Sequence, residues 1–225
     1  MEFQHQFAAD LSAILAELDS SRPFAFNRFA DGELAILEER DIPTADGWSA
    51  VNVSDRFRER LRTALTYRDK DYYVGIGCPC CNRNEWTRLM ALSGRDKDDP
   101  QVTFSNVFVN GNWDVTTVKL REGPKAGCLF SPKLNMVNAS NDALRISITT
   151  ARKFLESTTK PLFIAAGPAT KIIIHELWAT GSRRVPLIDI GSAFDSSGRS
   201  YHDPNHPNRK KICQWTAKTI DNGAT

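Results

Sequence analysis

Two carboxylates one residue apart, Asp31 and Glu33, follow the apolar run Phe24-Ala-Phe26-Asn-Arg28-Phe29 and flank Gly32. At the carboxyl end of a strand, the glycine lets the backbone turn so that both side chains face one point. Such a pair suits a hard divalent cation that keeps positions open for water and substrate phosphates. The neighbouring Arg28 suits an anionic ligand. The same residues also fit a plain helix start, with Asp31 as the cap and Glu33 complementing the dipole.

Other clusters can do related work. Phe163-Ile-Ala-Ala-Gly167-Pro168-Ala-Thr170 runs from an apolar strand through a glycine into a helix whose first amides are free to bind an anion. With Pro168 at the first helical position it is also an ordinary strand-to-helix turn. It is neither the dinucleotide fingerprint nor a Walker loop. Asp189-Ile-Gly191-Ser192-Ala-Phe-Asp195 closes the last apolar strand; Asp189 and Asp195 can hold ribose hydroxyls, contact a metal or act as a base, and Gly191 leaves room for a ligand. Asn106, Asn110 and Asn112 suit base or sugar recognition and equally suit turns. His202 and His206 sit in a proline-broken loop, as phosphate contacts or proton acceptors, whereas His175 lies among Ile172, Ile173, Ile174 and Leu177 and reads as structural.

These residues need a scaffold, and the apolar pattern supplies one. Phe7, Leu11, Ile14, Leu15 and Leu18 predict a helix over 3–18. Short apolar strands at Phe24–Phe29, Tyr72–Ile76, Val102–Phe104, Cys128–Phe130, Leu162–Ala166 and Val185–Ile190 alternate with helices capped near Ser54 or Asp55, around Trp86–Leu92, over Asn141–Leu155 and over Ala169–Ala179. This alternation predicts an α/β protein with a mostly parallel sheet covered by helices on both faces. Ligands then sit beyond the carboxyl ends of the strands, where every polar turn named above falls.

Composition narrows the class. The 225 residues are 41% apolar, enough for one cored domain over 1–225. No apolar run is long enough to span a bilayer and the N-terminus lacks a signal-peptide pattern, so a cytoplasmic location is expected. Charge is balanced at +2, except that Arg199 to Lys211 opens a basic C-terminal segment, 199–225, that is either a solvated tail or a phosphate-contacting surface. Three of the five cysteines crowd into Cys78-Pro-Cys80-Cys81. That spacing matches neither a secreted disulfide framework nor the paired knuckles of structural zinc, and a tight turn with buried thiols is expected.

Taken together, the motifs resemble the GT-D fold glycosyltransferases. That family opens with Arg-Phe-Gly-Asp-Gly-Glu, here Arg28-Phe29-Ala30-Asp31-Gly32-Glu33. Its later strand, Gly-Pro turn and Asp-x-Gly-Ser-x-x-Asp are similar to Ala166-Gly167-Pro168 and Asp189 to Asp195, and Ser105 to Asn112 is similar as well. The resemblance implies a Rossmann-like fold and a Mn²⁺ or Mg²⁺ ion on the D-x-E carboxylates, Asp31 and Glu33. It also implies a nucleoside-diphosphate sugar donor, such as a UDP-sugar; by their own chemistry and placement, the candidates to cradle it are Arg28, Asn106, Asn110, Gly167, Pro168, Asp189, Gly191 and Ser192. The acceptor hydroxyl is expected on a glycan or glycoprotein, or on a hydroxylated base in DNA, with Asp195, Asp189 or His202 as the base. A nucleotide-sugar hydrolase or phosphotransferase, or a non-catalytic nucleotide-binding module, would use the same carboxylates.

Overall fold

The computed structural model describes residues 2–20, 22–41, 53–77, 79, 82–104, 128–130 and 141–191. In chain order the elements are α1 (Glu2–Ser20), β1 (Ala25–Phe29), α2 (Asp31–Leu37), α3 (Asp55–Thr66), β2 (Tyr72–Ile76), α4 (Arg83–Ser93), β3 (Val102–Phe104), β4 (Cys128–Phe130), α5 (Asn141–Ser157), β5 (Leu162–Ile164), α6 (Pro168–Ala179) and β6 (Leu187–Asp189). The six strands form one sheet in the order β3-β2-β1-β6-β5-β4, and every described pairing is parallel.

Local chemistry sets the boundaries. The Ser54 hydroxyl accepts from Phe57 N at 3.3 Å and starts α3, whose Phe57, Leu61, Ala64 and Leu65 make one buried stripe. The Asn82 side chain accepts from Glu85 N at 3.2 Å and starts α4, which ends at Gly94 in the left-handed region. On α6, Pro168 takes the first turn and nearly the whole circumference is buried, from Ala169 through Ile172, Ile173 and Ile174 to Trp178.

Each step from β1 to β2 to β3, and from β4 to β5 to β6, moves the same way across the sheet. Right-handed crossovers therefore bring α2 to α6 to one face. The core agrees, since Ala25, Phe29, Tyr72, Val74, Ile76, Leu162, Ile164 and Leu187 pack in one cluster with apolar residues of those five helices. The alternate strand residues Phe26, Phe163 and Ile188 point to the opposite face and are buried outside that cluster, as are Ile14 and Leu18 of α1, which touches β3. Both faces are covered, as the sequence predicted, but unequally. Phe24 and Tyr73 meet edge-on at 6.0 Å on the α1 side.

Candidate active site

The carboxyl ends of β1 and β6 lie side by side, because Ala25 pairs with Leu187 and Phe26 with Ile188. Into this seam α6 sends Lys171, one turn after the Gly167-Pro168 start. Its buried ammonium lies 3.0 Å from Glu33 Oε1 and 2.8 Å from Asp189 Oδ2, and donates to Gly167 O at 3.3 Å. Burial pulls the Lys171 pKa down, but the charges of Asp189 and Glu33 outweigh it and hold the ammonium above its ordinary range. Asp189 is fully enclosed and also accepts from Arg28 N at 3.1 Å and Gly191 N at 2.9 Å. Three partners on one buried carboxylate fix its orientation and stabilise its charge.

The D-x-E residues divide their labour. Asp31 is the first residue of α2, exposed, with Oδ1 accepting from Gly32 N at 3.0 Å. Glu33 is buried and reaches back so that Oε2 accepts from Ala30 N at 3.0 Å. The helix start, expected to be capped by Asp31, is instead held by this bond to Glu33. Ala30 is extended, with φ −142° and ψ −160°, a conformation that needs no glycine.

A third acid joins them. Glu85, in the first turn of α4, stands with Oε1 3.1 Å from where a Cβ on Gly77 would lie, just past the end of β2. Burial, then the charges of Asp31 and Glu33, push its pKa up to about 7. Hard carboxylate oxygens are the donor set that Mn²⁺ or Mg²⁺ takes. Glu33 uses two of its roughly four acceptor positions on Ala30 N and Lys171, so it retains capacity for a cation. Among the described residues no group of three His, Cys, Asp or Glu is close enough to hold a metal by itself, so water and substrate oxygens would complete the shell. On donor chemistry, the residues fit the ion.

Gly167 and Gly191 both have positive φ, 50° and 53°. Gly167 thereby turns the chain from β5 into α6, and a side chain on Gly191 would collide with the guanidinium of Arg28. Of the residues predicted from sequence, Arg28, Asp31, Glu33, Gly167, Pro168, Asp189 and Gly191 all stand at this end of the sheet. Asn106, Asn110, Ser192, Asp195, His202, Cys78, Cys80 and Cys81 lie outside the described residues. His175 is half-buried with its ring 4.8 Å from that of Tyr67, and burial lowers its pKa, in keeping with a structural role.

Sequence reasoning missed Lys171 and Glu85. The signal for Lys171 was a single cation inside an otherwise apolar helix, Ala169-Thr-Lys171-Ile-Ile-Ile. Glu85 gave no distinct signal, since an acid in the first turn of a helix complements the dipole in any protein.

No helix among the described residues is long and apolar enough to cross a membrane. No family model matches the chain, and no curated protein matches it. Two solved structures are similar to it. One is a selenomethionine-substituted structure of domain of unknown function 1792, with a TM-score of 0.56, and the other is described as that highly conserved domain having a distinct glycosyltransferase fold, with a TM-score of 0.55. Each is 15% identical over 82% of this chain and 76% of its own. The chain thus has the α/β fold described for that domain as a distinct glycosyltransferase fold, as the GT-D resemblance led one to expect.

Proposed function

We propose that the protein is a glycosyltransferase that moves a sugar from a nucleoside-diphosphate donor to an acceptor hydroxyl at the mouth formed by β1, β5 and β6. The observation that supports this best is the meeting of Glu33, Asp189 and Lys171 at the carboxyl end of a sheet shared with a domain described as having a distinct glycosyltransferase fold. Two motifs 156 residues apart in sequence converge on one ammonium, counting from Glu33 to Asp189.

Asp31 and Glu33 would hold Mn²⁺ or Mg²⁺, with Glu85 beside them. When bound, the ion neutralises the charge that grows on the leaving diphosphate. Arg28 and the positive end of α6 behind Gly167 would face the remaining phosphate charge. Asp189 is fully enclosed and held by three donors, so its work is to position Lys171 and the backbone at Arg28 and Gly191. The proton of the acceptor then falls to Asp195 or His202.

The test is turnover and thermal shift with a panel of nucleotide sugars and Mn²⁺, using Asp31→Asn alone and with Glu33→Gln. Asp31 is exposed, so Asp31→Asn should leave the melting temperature nearly unchanged while lowering kcat by roughly 10²–10³-fold. Full turnover in Asp31→Asn, or donor binding that ignores both Mn²⁺ and the double variant, would overturn the reading.

A further inference from the structure

The last described helix, α6, lies between α3 and α5, touching both. Because α6 is buried almost all round, its neighbours rise above it as walls. The valley between them encloses about 360 Å³ and is lined by Arg56 and Arg60 of α3 and Asp142, Arg145 and Arg152 of α5, with Glu176 of α6 on the floor. On α3 the arginines are four residues apart; on α5, positions 142, 145, 149 and 152 form one stripe facing them.

The charges do not cancel. Glu176 accepts from Arg60 Nε at 2.7 Å, and Asp142 lies 3.6 Å from Arg145 with both side chains largely exposed. Arg152 donates to the Thr180 hydroxyl at 3.1 Å and has no carboxylate partner among the described residues. Arg56 makes neither an ion pair nor a hydrogen bond among them. Four guanidinium groups against two carboxylates leave a surplus of two positive charges. The two guanidinium groups on α5 stand about 10 Å apart along the helix, taking 1.5 Å per residue from Arg145 to Arg152, and face those of α3 without converging on a point. Both walls also begin at the end of the sheet where α6 starts, which adds the positive ends of α3 and α5 to the field.

We infer that this valley binds the backbone of a phosphodiester chain, its successive phosphates taken by Arg56, Arg145 and Arg152. Planar guanidinium groups grip phosphate oxygens two at a time, and a row of them matches phosphates in series better than one small anion. This reading stands apart from the proposed sugar transfer, since binding is measured with neither donor nor turnover.

The experiment is fluorescence anisotropy of a labelled DNA duplex over a range of NaCl. Wild type is compared with Arg56→Glu/Arg152→Glu, with the milder Arg145→Gln/Arg152→Gln, and with a variant of the C-terminal segment, Arg209, Lys210 and Lys211→Ser. Each is first checked for unchanged circular dichroism. Removing two phosphate contacts should weaken binding by at least about tenfold at about 0.1 M salt and make the salt slope shallower by about two, in either valley variant. No binding by wild type at low salt, or a loss confined to the C-terminal variant, would overturn the inference. So would full displacement of the duplex by millimolar inorganic phosphate, which would mark an isolated anion site.

Discussion

Removing the ammonium of Lys171 would leave Glu33 and Asp189 facing each other, buried and without their common partner. Breaking a buried charge cluster by deleting one member costs about 3–5 kcal/mol. Lys171→Met should therefore lose that much in urea denaturation at neutral pH, and Lys171→Met/Asp189→Asn, which restores the charge balance, should recover part of it. Equal stability of Lys171→Met and wild type would mean that the triad contributes nothing to the fold. Glu85 presents the opposite situation, an acid whose folded pKa, about 7, lies above its ordinary 4.5. The folded protein then binds more protons than the unfolded chain between those values, so stability falls as pH rises from about 4.5 to 7 and stays lower above. Solvent reaches the group, which reduces the effect to about 1–2 kcal/mol. Glu85→Gln should flatten that stretch of the stability–pH curve, measured by denaturant midpoints at several pH values, and an unchanged slope would remove Glu85 from the cluster.

At the scale of elements, what the sequence disclosed depended on whether a signal was local. β2, β3 and β4 have their predicted bounds because each is a short apolar run closed by polar or turn residues, and such runs report burial directly. α2 begins three residues before its apolar pattern, at Asp31, because Glu33 bonds back to Ala30 N and fixes the turn despite Gly32. The helix start was legible at these residues, but its cap was expected from Asp31 and is made by Glu33. β5 and β6 are shorter than their apolar runs, since Ala165, Ala166 and Ile190 lie beyond the described pairings. The gathering of α2 to α6 on one face was not legible, because alternation of strands and helices leaves strand order open. Lys171 illustrates the same limit: its partners lie 138 positions before and 18 after it, and only α6 crossing the seam brings them together.

The described sheet is two three-stranded halves, β3-β2-β1 and β6-β5-β4, joined at a seam with two paired positions against five between β1 and β2. Polar contacts make up what the short ladder lacks. Lys171 spans from Glu33 on one side to Asp189 on the other, Asp189 accepts from Arg28 N, and Asn27 Nδ2 donates both to Lys171 O at 2.9 Å and to the Tyr72 hydroxyl at 2.5 Å. A donor seated at the mouth would touch both halves, so any fluctuation that parts them must first release it. Amides whose exchange requires that parting should slow by about 100-fold with Mn²⁺ and nucleotide sugar at 100 times Kd, since opening is then suppressed by mass action. In a hydrogen-exchange measurement the protection should appear in Ala30–Glu33 of one half and in both Thr170–Lys171 and Ile190–Gly191 of the other, while α1, remote from the seam, stays unchanged. Protection confined to one half would mean that the ligand does not bridge the seam, and that the convergence of Glu33 and Asp189 on Lys171 serves the fold alone.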